Sequence, residues 1–467
     1  MFKNIVRKVL YVWHSNRRLF ISEKFHAFFL KPKELLVIDI DLSNRILLVY
    51  SKDKPEMLIS NIKYTASGCL YNLSFSNLTD EVSALCGWRV KYLNNYYCIS
   101  NAYKKSVLEI FHLIKTESVI DNLVVFSDRD SHADDNAEHL VKYILLNKPE
   151  LTKSNFFYFI NTEVNSNEDI ENIRISPFSY THEILLKHCG KYVSSQIDFA
   201  KLQFLHAECK FIFLQHGVTL NDISSWLNMK KIDLIVTSTC LEHACFVDES
   251  SAYRITEREA FLGGMPRFDY LYENKNTCIE NSILIAPTWR SYKVDSSEMR
   301  AYINAWCKLL LSSSIYDLSL KYDIVFIAHP KLQDLIFEKI KVPKYVLLKK
   351  PNDSYSSIFL KSKILITDYS SISFDMAYLS KYTIYYQFDK DSYFSSGVVK
   401  NNKGKGFCYY ENGFGPVCHS LTEVSDKIVA FFDNEWCGEY AQRFEMNFKH
   451  IDGNNCQRLV AKLFESC

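Results

Sequence analysis

Short apolar runs alternate with helix-patterned stretches along most of this chain. That alternation predicts an α/β protein whose strands form parallel sheets through βαβ units. Two further observations point to more than one such domain. The chain has 467 residues, too many for one ordinary compact domain and enough for about two to four. The Gly263-Gly264-Met265-Pro266 turn separates two successive series of strands, as Gly and Pro punctuate structure. Hydrophobic residues make up 48% and charged residues 23%, an ordinary globular balance that excludes overall disorder.

In order, residues 34–49 contain two apolar runs split by polar residues and read as strands. Leu123-Val124-Val125-Phe126-Ser127 is a buried-type strand, followed by a polar loop and a helix from Glu138 to Leu146. Strands at 156–160, 210–214 and 234–237 continue the first series. After Pro266 come strands at 283–286, 324–327, 344–348, 364–367 and 383–386, with helices over 298–312 and 371–380. Residues 439–465 are helical in pattern, interrupted at Asp452-Gly453. The expected organisation is a basic segment 1–34, a first domain 35–266, a second domain 267–438 and a C-terminal helical segment 439–467. There is no tandem repeat; Ser354-Tyr355-Ser356-Ser357 only echoes Asp368 to Ser371.

The net charge is +1, which argues against a nucleic-acid partner. The 14 cysteines form no CxxC pair, so reduced cytosolic thiols are expected. Cys240-Leu241-Glu242-His243-Ala244-Cys245 reads as a helix with two small thiols rather than zinc, which prefers paired ligands at set spacings. No metal and no cofactor are expected. No apolar run approaches the ~18 residues that span a bilayer. Arg7, Lys8, Arg17 and Arg18 interrupt any signal-peptide core, so a cytoplasmic protein is expected. Residues 2–13 set Phe2, Ile5, Val6, Val9, Leu10 and Trp13 among basic residues at helical spacing. Such a helix either lies on an anionic membrane face or packs on its own domain. Peripheral association with the inner face of the cell membrane is the expectation carried forward.

Ligands of open α/β sheets bind beyond the carboxyl ends of the strands. Several polar clusters fall there. Gln215-His216-Gly217-Val218-Thr219 follows a strand, and an imidazole at such an end can accept a proton from a hydroxyl. Pro287-Thr288-Trp289-Arg290 offers amides, a hydroxyl and a guanidinium suited to phosphate, or else a core Trp and a surface ion-pair partner. His329 precedes Pro330 and could bind phosphate or protonate a leaving oxygen, or simply finish a turn. Thr367-Asp368-Tyr369-Ser370-Ser371 places two hydroxyls at a helix start, an anion site or an ordinary serine cap with Asp375 in the first turn. In the first domain, the loop from Ser127 to Asn136 holds Asp134, Asp135 and Asn136. It reads chiefly as a turn capping the next helix, with acceptor contact as a second role.

His216-Gly217, Gly264-Met265-Pro266-Arg267-Phe268-Asp269, Ala286-Pro287-Thr288-Trp289-Arg290, His329-Pro330 and Ile366-Thr367-Asp368-Tyr369-Ser370-Ser371 with Phe374-Asp375 occur in this order. Together they resemble the CDP-glycerol glycerophosphotransferase family of teichoic-acid and capsule polymerases. The likeness covers roughly residues 120–465, including Asp135-Asn136-Ala137-Glu138-His139-Leu140 and the tail from Phe444 to Arg458. It implies a GT-B fold: two Rossmann-like domains, a cleft between them and a closing C-terminal helix. It also implies that Gly217, Val218, Thr219, Leu220, Arg267, Pro287, Thr288, Arg290, Ser370, Ser371 and Asp375 surround a CDP-linked alditol donor. By the same likeness His216 is the base, while His329 and the Ser370/Ser371 turn hold the pyrophosphate. The expected acceptor is a glycan or lipid-linked polymer, and CMP is released. Asn221 stands where the wall polymerases usually carry Lys, and Ile327 where an Arg often precedes the second His. These departures leave the donor's identity open. A nucleotide-sugar glycosyltransferase and an inactive donor-binding scaffold are the rival expectations.

Overall fold

The computed structural model describes residues 118–465 except 130–133, 162–167, 176, 178–179, 291, 294–295, 329–341, 350–352, 396–405 and 436. Before residue 118 it describes only strand segments, among them the antiparallel pair Leu36–Asp41 and Ile46–Ser51 on the two apolar runs expected there. The basic helix expected over residues 2–13 lies outside the described residues. Among the described residues no helix is long and apolar enough to cross a membrane. Two compact units follow one another, the first ending at Ile212 and the second running from Phe213 to Cys467.

The first unit holds parallel strands β1 (Ile120–Ser127), β2 (Phe156–Ile160), β3 (Arg174–Ile175) and β4 (Cys189–Ser194) in the order β3-β2-β1-β4. Parallel strands are covered on both faces, so they read as unbroken apolar runs. Leu123 to Phe126 of β1 are accordingly fully buried. Helix α1 (Asn136–Asn147) follows β1 and turns Ala137, Leu140, Val141 and Ile144 inward at helical spacing.

The second unit opens with the parallel pair β5 (Leu234–Thr237) and β6 (Ala260–Leu262), joined through α2 (Cys240–Val247). Helix α3 (Arg267–Asn274) leads into a six-stranded sheet. Its strands are β7 (Ser282–Ala286), β8 (Asp323–Phe326), β9 (Val346–Leu348), β10 (Ser362–Thr367), β11 (Tyr382–Tyr386) and β12 (Val417–Cys418). All neighbours are parallel, in the order β9-β8-β7-β10-β11-β12. The chain winds one way from β7 and the other way from β10, so the reversal lies between those two strands. Alternate residues of β7 feed separate cores, as a period of two requires. Ile283 and Ile285 join α4 (Ser297–Leu310), which buries Met299, Tyr302, Ile303, Trp306, Leu309 and Leu310. Leu284 and Ala286 join Phe268 and Leu271 of α3 and Phe374, Met376 and Ala377 of α5 (Ile372–Tyr378).

The tail forms α6 (Cys437–Asn447) and α7 (Asn455–Val460), separated at Asp452-Gly453, where Gly453 has φ +69°. The free N–H groups at the start of α7 are met by Asp269 of α3, which accepts from Asn455 N at 2.8 Å and Cys456 N at 2.7 Å. Gly264 sits at φ +83°, and a β-carbon there would lie 2.6 Å from Asn455 Cγ. Arg458 closes the contact by donating to the Gly263 carbonyl.

Candidate active site

At the reversal of the second sheet, Ala286 of β7 and Thr367 of β10 are register partners. Two loops therefore leave the sheet side by side, Pro287 to Arg290 and Asp368 to Ser371. Asp368 is fully buried and braces both. Its Oδ1 accepts from Thr288 N at 2.8 Å and Tyr369 N at 2.7 Å, and its Oδ2 accepts from Arg290 Nη2 at 2.7 Å. A third loop adds Asp389, which takes Arg290 Nε at 2.8 Å and Nη2 at 3.0 Å, along with the Tyr292 hydroxyl at 3.0 Å. Arg290 Nη1 donates to the Thr288 carbonyl at 2.9 Å. The rings of Tyr302, Tyr369 and Tyr393 lie 4.8, 5.1 and 4.7 Å from the guanidinium carbon. Burial pulls the Arg290 pKa down, but Asp368 and Asp389 outweigh it and hold the value well above the ordinary one. The sequence reading sets Arg290 against donor phosphates. In the structure its guanidinium faces inward instead, because two buried carboxylates need a planar, bidentate cation. Asp389 went unnoticed in the sequence.

The Ser370-Ser371 turn starts α5 without serving as an ordinary cap. Ser371 has helical backbone angles and makes no side-chain cap hydrogen bond. Ser370 Oγ meets Ile372 N only at 3.4 Å. The echoing segment behaves differently: Ser354 Oγ accepts from Ser357 N at 3.1 Å and caps its helix. Both Ser370 and Ser371 are half-buried; the Ser371 hydroxyl makes no cap bond, and Ser370 Oγ makes only the long one to Ile372 N.

The His216 loop belongs to the same unit. Gln215 adopts φ +60°, a left-handed conformation that costs a non-glycine residue about 1–2 kcal/mol. Its side chain explains why that holds. Gln215 Nε2 donates to the Val236 carbonyl at 2.8 Å and to Glu242 Oε1 at 3.0 Å, while its Oε1 accepts from Thr219 Oγ1 at 2.6 Å. Thr219 N also donates to Glu242 Oε1, at 2.7 Å. Glu242 is buried, and burial pushes its carboxyl up to about 7 against the pull of these donors. From the other side, Arg267 Nη1 donates to the His216 carbonyl at 2.9 Å. Arg267 also forms a bidentate pair with Asp375, Nε to Oδ1 at 2.7 Å and Nη2 to Oδ2 at 3.0 Å. Asp375 is only 2% exposed, so both its oxygens look to Arg267. Gly217 abuts the serine turn: a β-carbon there would lie 3.0 Å from Ser371 Cβ and closer still to its Oγ. Val218 and Leu220 are buried in the core beneath. His216 itself is exposed.

The structure thus brings His216, Gly217, Arg267, Ser371 and Asp375 into one neighbourhood, with Thr288 on the adjoining clamp. His329 lies outside the described residues. In the first unit, Asp135 is the N-cap of α1 and accepts from Asn136 N at 2.9 Å, and Asn136 is fully buried. Asp134, at φ +74°, contacts His139 Nε2 at 2.9 Å. The same helix start is also held by Asp128, which accepts from Ala137 N at 3.0 Å and Glu138 N at 2.8 Å and pairs with the Ser195 hydroxyl. Burial, with Asp135 adding to it, pushes Asp128 up to about 8. This cluster therefore acts as a turn and cap. Among the described residues no group of His, Cys, Asp and Glu could hold a metal ion. His243, in the cysteine stretch of α2, meets Thr237 and Glu257 instead.

Residues 109–465 match the family model described as CDP-glycerol:poly(glycerophosphate) glycerophosphotransferase. The chain belongs to this glycerophosphotransferase family. The minor teichoic acid biosynthesis protein GgaB of Bacillus subtilis (strain 168) is 32% identical over 379 residues, 73% of this chain and 39% of that protein. The teichoic acid glycerol-phosphate primase of the same organism is 26% identical over 218 residues, 45% of this chain and 52% of that protein. The chain therefore spans about half or less of the length of these relatives. The solved structure of the wall teichoic acid polymerase TagF matches with a TM-score of 0.58 at 18% identity, covering 78% of this chain and 93% of that one. That likeness shows the fold, and the expected pair of GT-B-like parallel-sheet domains agrees with it.

Proposed function

We propose that this protein transfers an alditol phosphate, of the glycerol-phosphate type, from a CDP-linked donor to a hydroxyl of a cell-surface glycan or growing polymer. The observation that carries the proposal is the close approach of Gly217 to Ser371, which brings the loop carrying the exposed His216 against a serine turn at the sheet reversal. Family membership supports the donor class. In the proposed step the acceptor oxygen bonds to the β-phosphorus and the bond from that phosphorus to the bridging oxygen breaks. CMP leaves with the bonding electrons, and His216 takes the acceptor's proton. Electrostatic stabilisation of the phosphoryl oxygens dominates such a transfer, and a positioned base adds roughly 10²–10⁴ in rate. We assign the donor grip to Thr288, Ser370, Ser371 and the amides of the His216 loop, with His329 as partner to the pyrophosphate. Arg267, Arg290 and Asp375 then act by holding those groups in place. The donor side is assigned to 267–438 and the acceptor side to 35–266, with the half-buried Asp134 and Asp135 as acceptor contacts beside their capping role and the fully buried Asn136 serving the turn alone. Peripheral contact with the inner membrane face, a capsule or teichoic polymer as product, and a cytoplasmic site of action complete the proposal.

The test is a donor screen with CDP-glycerol, CDP-ribitol and UDP- and GDP-sugars, reading the released nucleotide and the product mass. CMP with an added alditol phosphate supports the proposal. UDP or GDP with an added sugar overturns it in favour of glycosyl transfer, and binding without turnover overturns it in favour of a scaffold. His216→Ala retaining near-normal turnover would remove the base assignment.

A further inference from the structure

Glu242 lies outside every motif that led to the site, yet its carboxylate accepts from both ends of the His216 loop. It sits at the third position of α2, whose N-cap Thr239 accepts from Glu242 N at 3.1 Å. A glutamate there usually turns back to the cap residue's own amide, closing a capping box. Here the carboxylate feels the Thr239 amide and also accepts, through Oε2, from Ser238 N at 2.7 Å, one residue before the cap. That leaves Oε1 for Gln215 Nε2 at 3.0 Å and Thr219 N at 2.7 Å. Gln215 immediately precedes His216, and Thr219 closes the turn that follows it. The strained φ of Gln215 persists only if its surroundings over-determine it. Its amide meets Glu242 and Val236, and its carbonyl oxygen meets Thr219.

From this geometry we infer that Glu242 is the positioning residue of the His216 loop: it touches no reacting atom but sets where the imidazole stands. The inference rests on the proposed role of His216 as base. A carboxylate suits the task because one oxygen must accept from two N–H groups while the other accepts from a third. An amide offers only one accepting oxygen and would turn its own N–H groups toward a donor.

The experiment uses the full chain and CMP release from CDP-glycerol. Glu242→Ala is expected to lower kcat about 100-fold with KM for the donor changed less than about twofold, since a displacement of about 1 Å costs that much in rate. Glu242→Gln is expected to fall between that variant and the unaltered protein. Ser354→Ala removes the cap of a helix that makes no contact with Glu242 and is expected to lower Tm by a few degrees at unchanged kcat. Hydrogen exchange at Thr219 N supplies a readout that needs no turnover, and it is expected to speed at least tenfold in Glu242→Ala but not in Ser354→Ala. Unchanged exchange, or unchanged kcat in both Glu242 variants while His216→Ala is inactive, overturns the inference alone. Full activity in His216→Ala removes the base reading instead, and the exchange data still decide whether Glu242 holds the loop.

Discussion

Replacing Arg290 by Met separates the two duties open to a buried guanidinium beside the proposed phosphate-binding loop, bracing the fold and contacting the donor. The substitution keeps bulk and removes the charge and every donor. Arg290 has 0% side-chain exposure, Asp368 also 0%, and Asp389 9%. Removing one partner from a buried ion pair leaves an uncompensated charge and costs about 3–5 kcal/mol. For a domain of this size each kcal/mol lowers Tm by about 2–4 °C, so a drop on the order of 10 °C is expected. Arg290→Lys keeps the charge, but a single ammonium cannot reproduce the fork that spans Asp368, Asp389 and the Thr288 carbonyl, so a smaller drop is expected. Thermal unfolding by intrinsic fluorescence and donor binding by calorimetry, on the same samples, provide the assay. Loss of stability that scales from Lys to Met supports the clamp. A Met variant that melts within about 2 °C of the unaltered protein, yet binds CDP-glycerol at least tenfold more weakly, would show the guanidinium facing phosphate and refute the reasoning.

Two further outcomes are expected. Gly217→Ala pushes a methyl group against Ser371, so one loop must shift; kcat should fall about 100-fold with little change in Tm, and unchanged kcat would mean that the two loops are not in fixed contact. Glu242 titrates near 7 in the folded chain against an ordinary 4.5, so the fold binds its proton more tightly than the unfolded chain does. The stability it contributes is therefore full below about pH 4.5 and is lost as pH rises through about 7, by an amount on the order of 3 kcal/mol. Measured against Glu242→Gln, the unaltered protein should lose relative stability between pH 5 and pH 8, and a pH-independent difference would contradict that sign.

The strands legible in the sequence were those whose burial on both faces makes them continuous apolar runs, such as β1, β7 and β10. Strand β4 was not, because Cys189-Gly190-Lys191 breaks the run. Gly190 is needed there: a β-carbon would lie 2.6 Å from the Asp121 backbone, at a register shift between β4 and β1. Strands β3 and β12 are two residues long and leave no periodicity to detect. In the candidate site, sheet-end logic picked out loops that the structure brings together, but not the direction of their side chains. Arg290 and Asp368 look like ligands until Asp389 arrives 99 residues after Arg290 to complete an inward network. Glu242 stood in a stretch weighed only for metal, and its partners Thr219 and Gln215 lie 23 and 27 residues away.

The segment Gly264 to Asp269 bears on how the His216 loop is placed. The first turn of α3 sends Arg267 toward the His216 carbonyl and Asp375, and Asp269 toward the amides of α7. Burial raises the Asp269 pKa against those amides, so its hydrogen bonds offset a real desolvation cost. The tail and the His216 loop are therefore fastened to the same helical turn. Glu242 holds the loop from one side and the Arg267–Asp375 pair from the other, and both act on the loop through its backbone or through Gln215. Neither contact involves the imidazole. On the proposed reading of His216 as base, its ring stays exposed while its loop is held by buried carboxylates, whose hydrogen bonds are shielded from the solvent screening that weakens surface pairs.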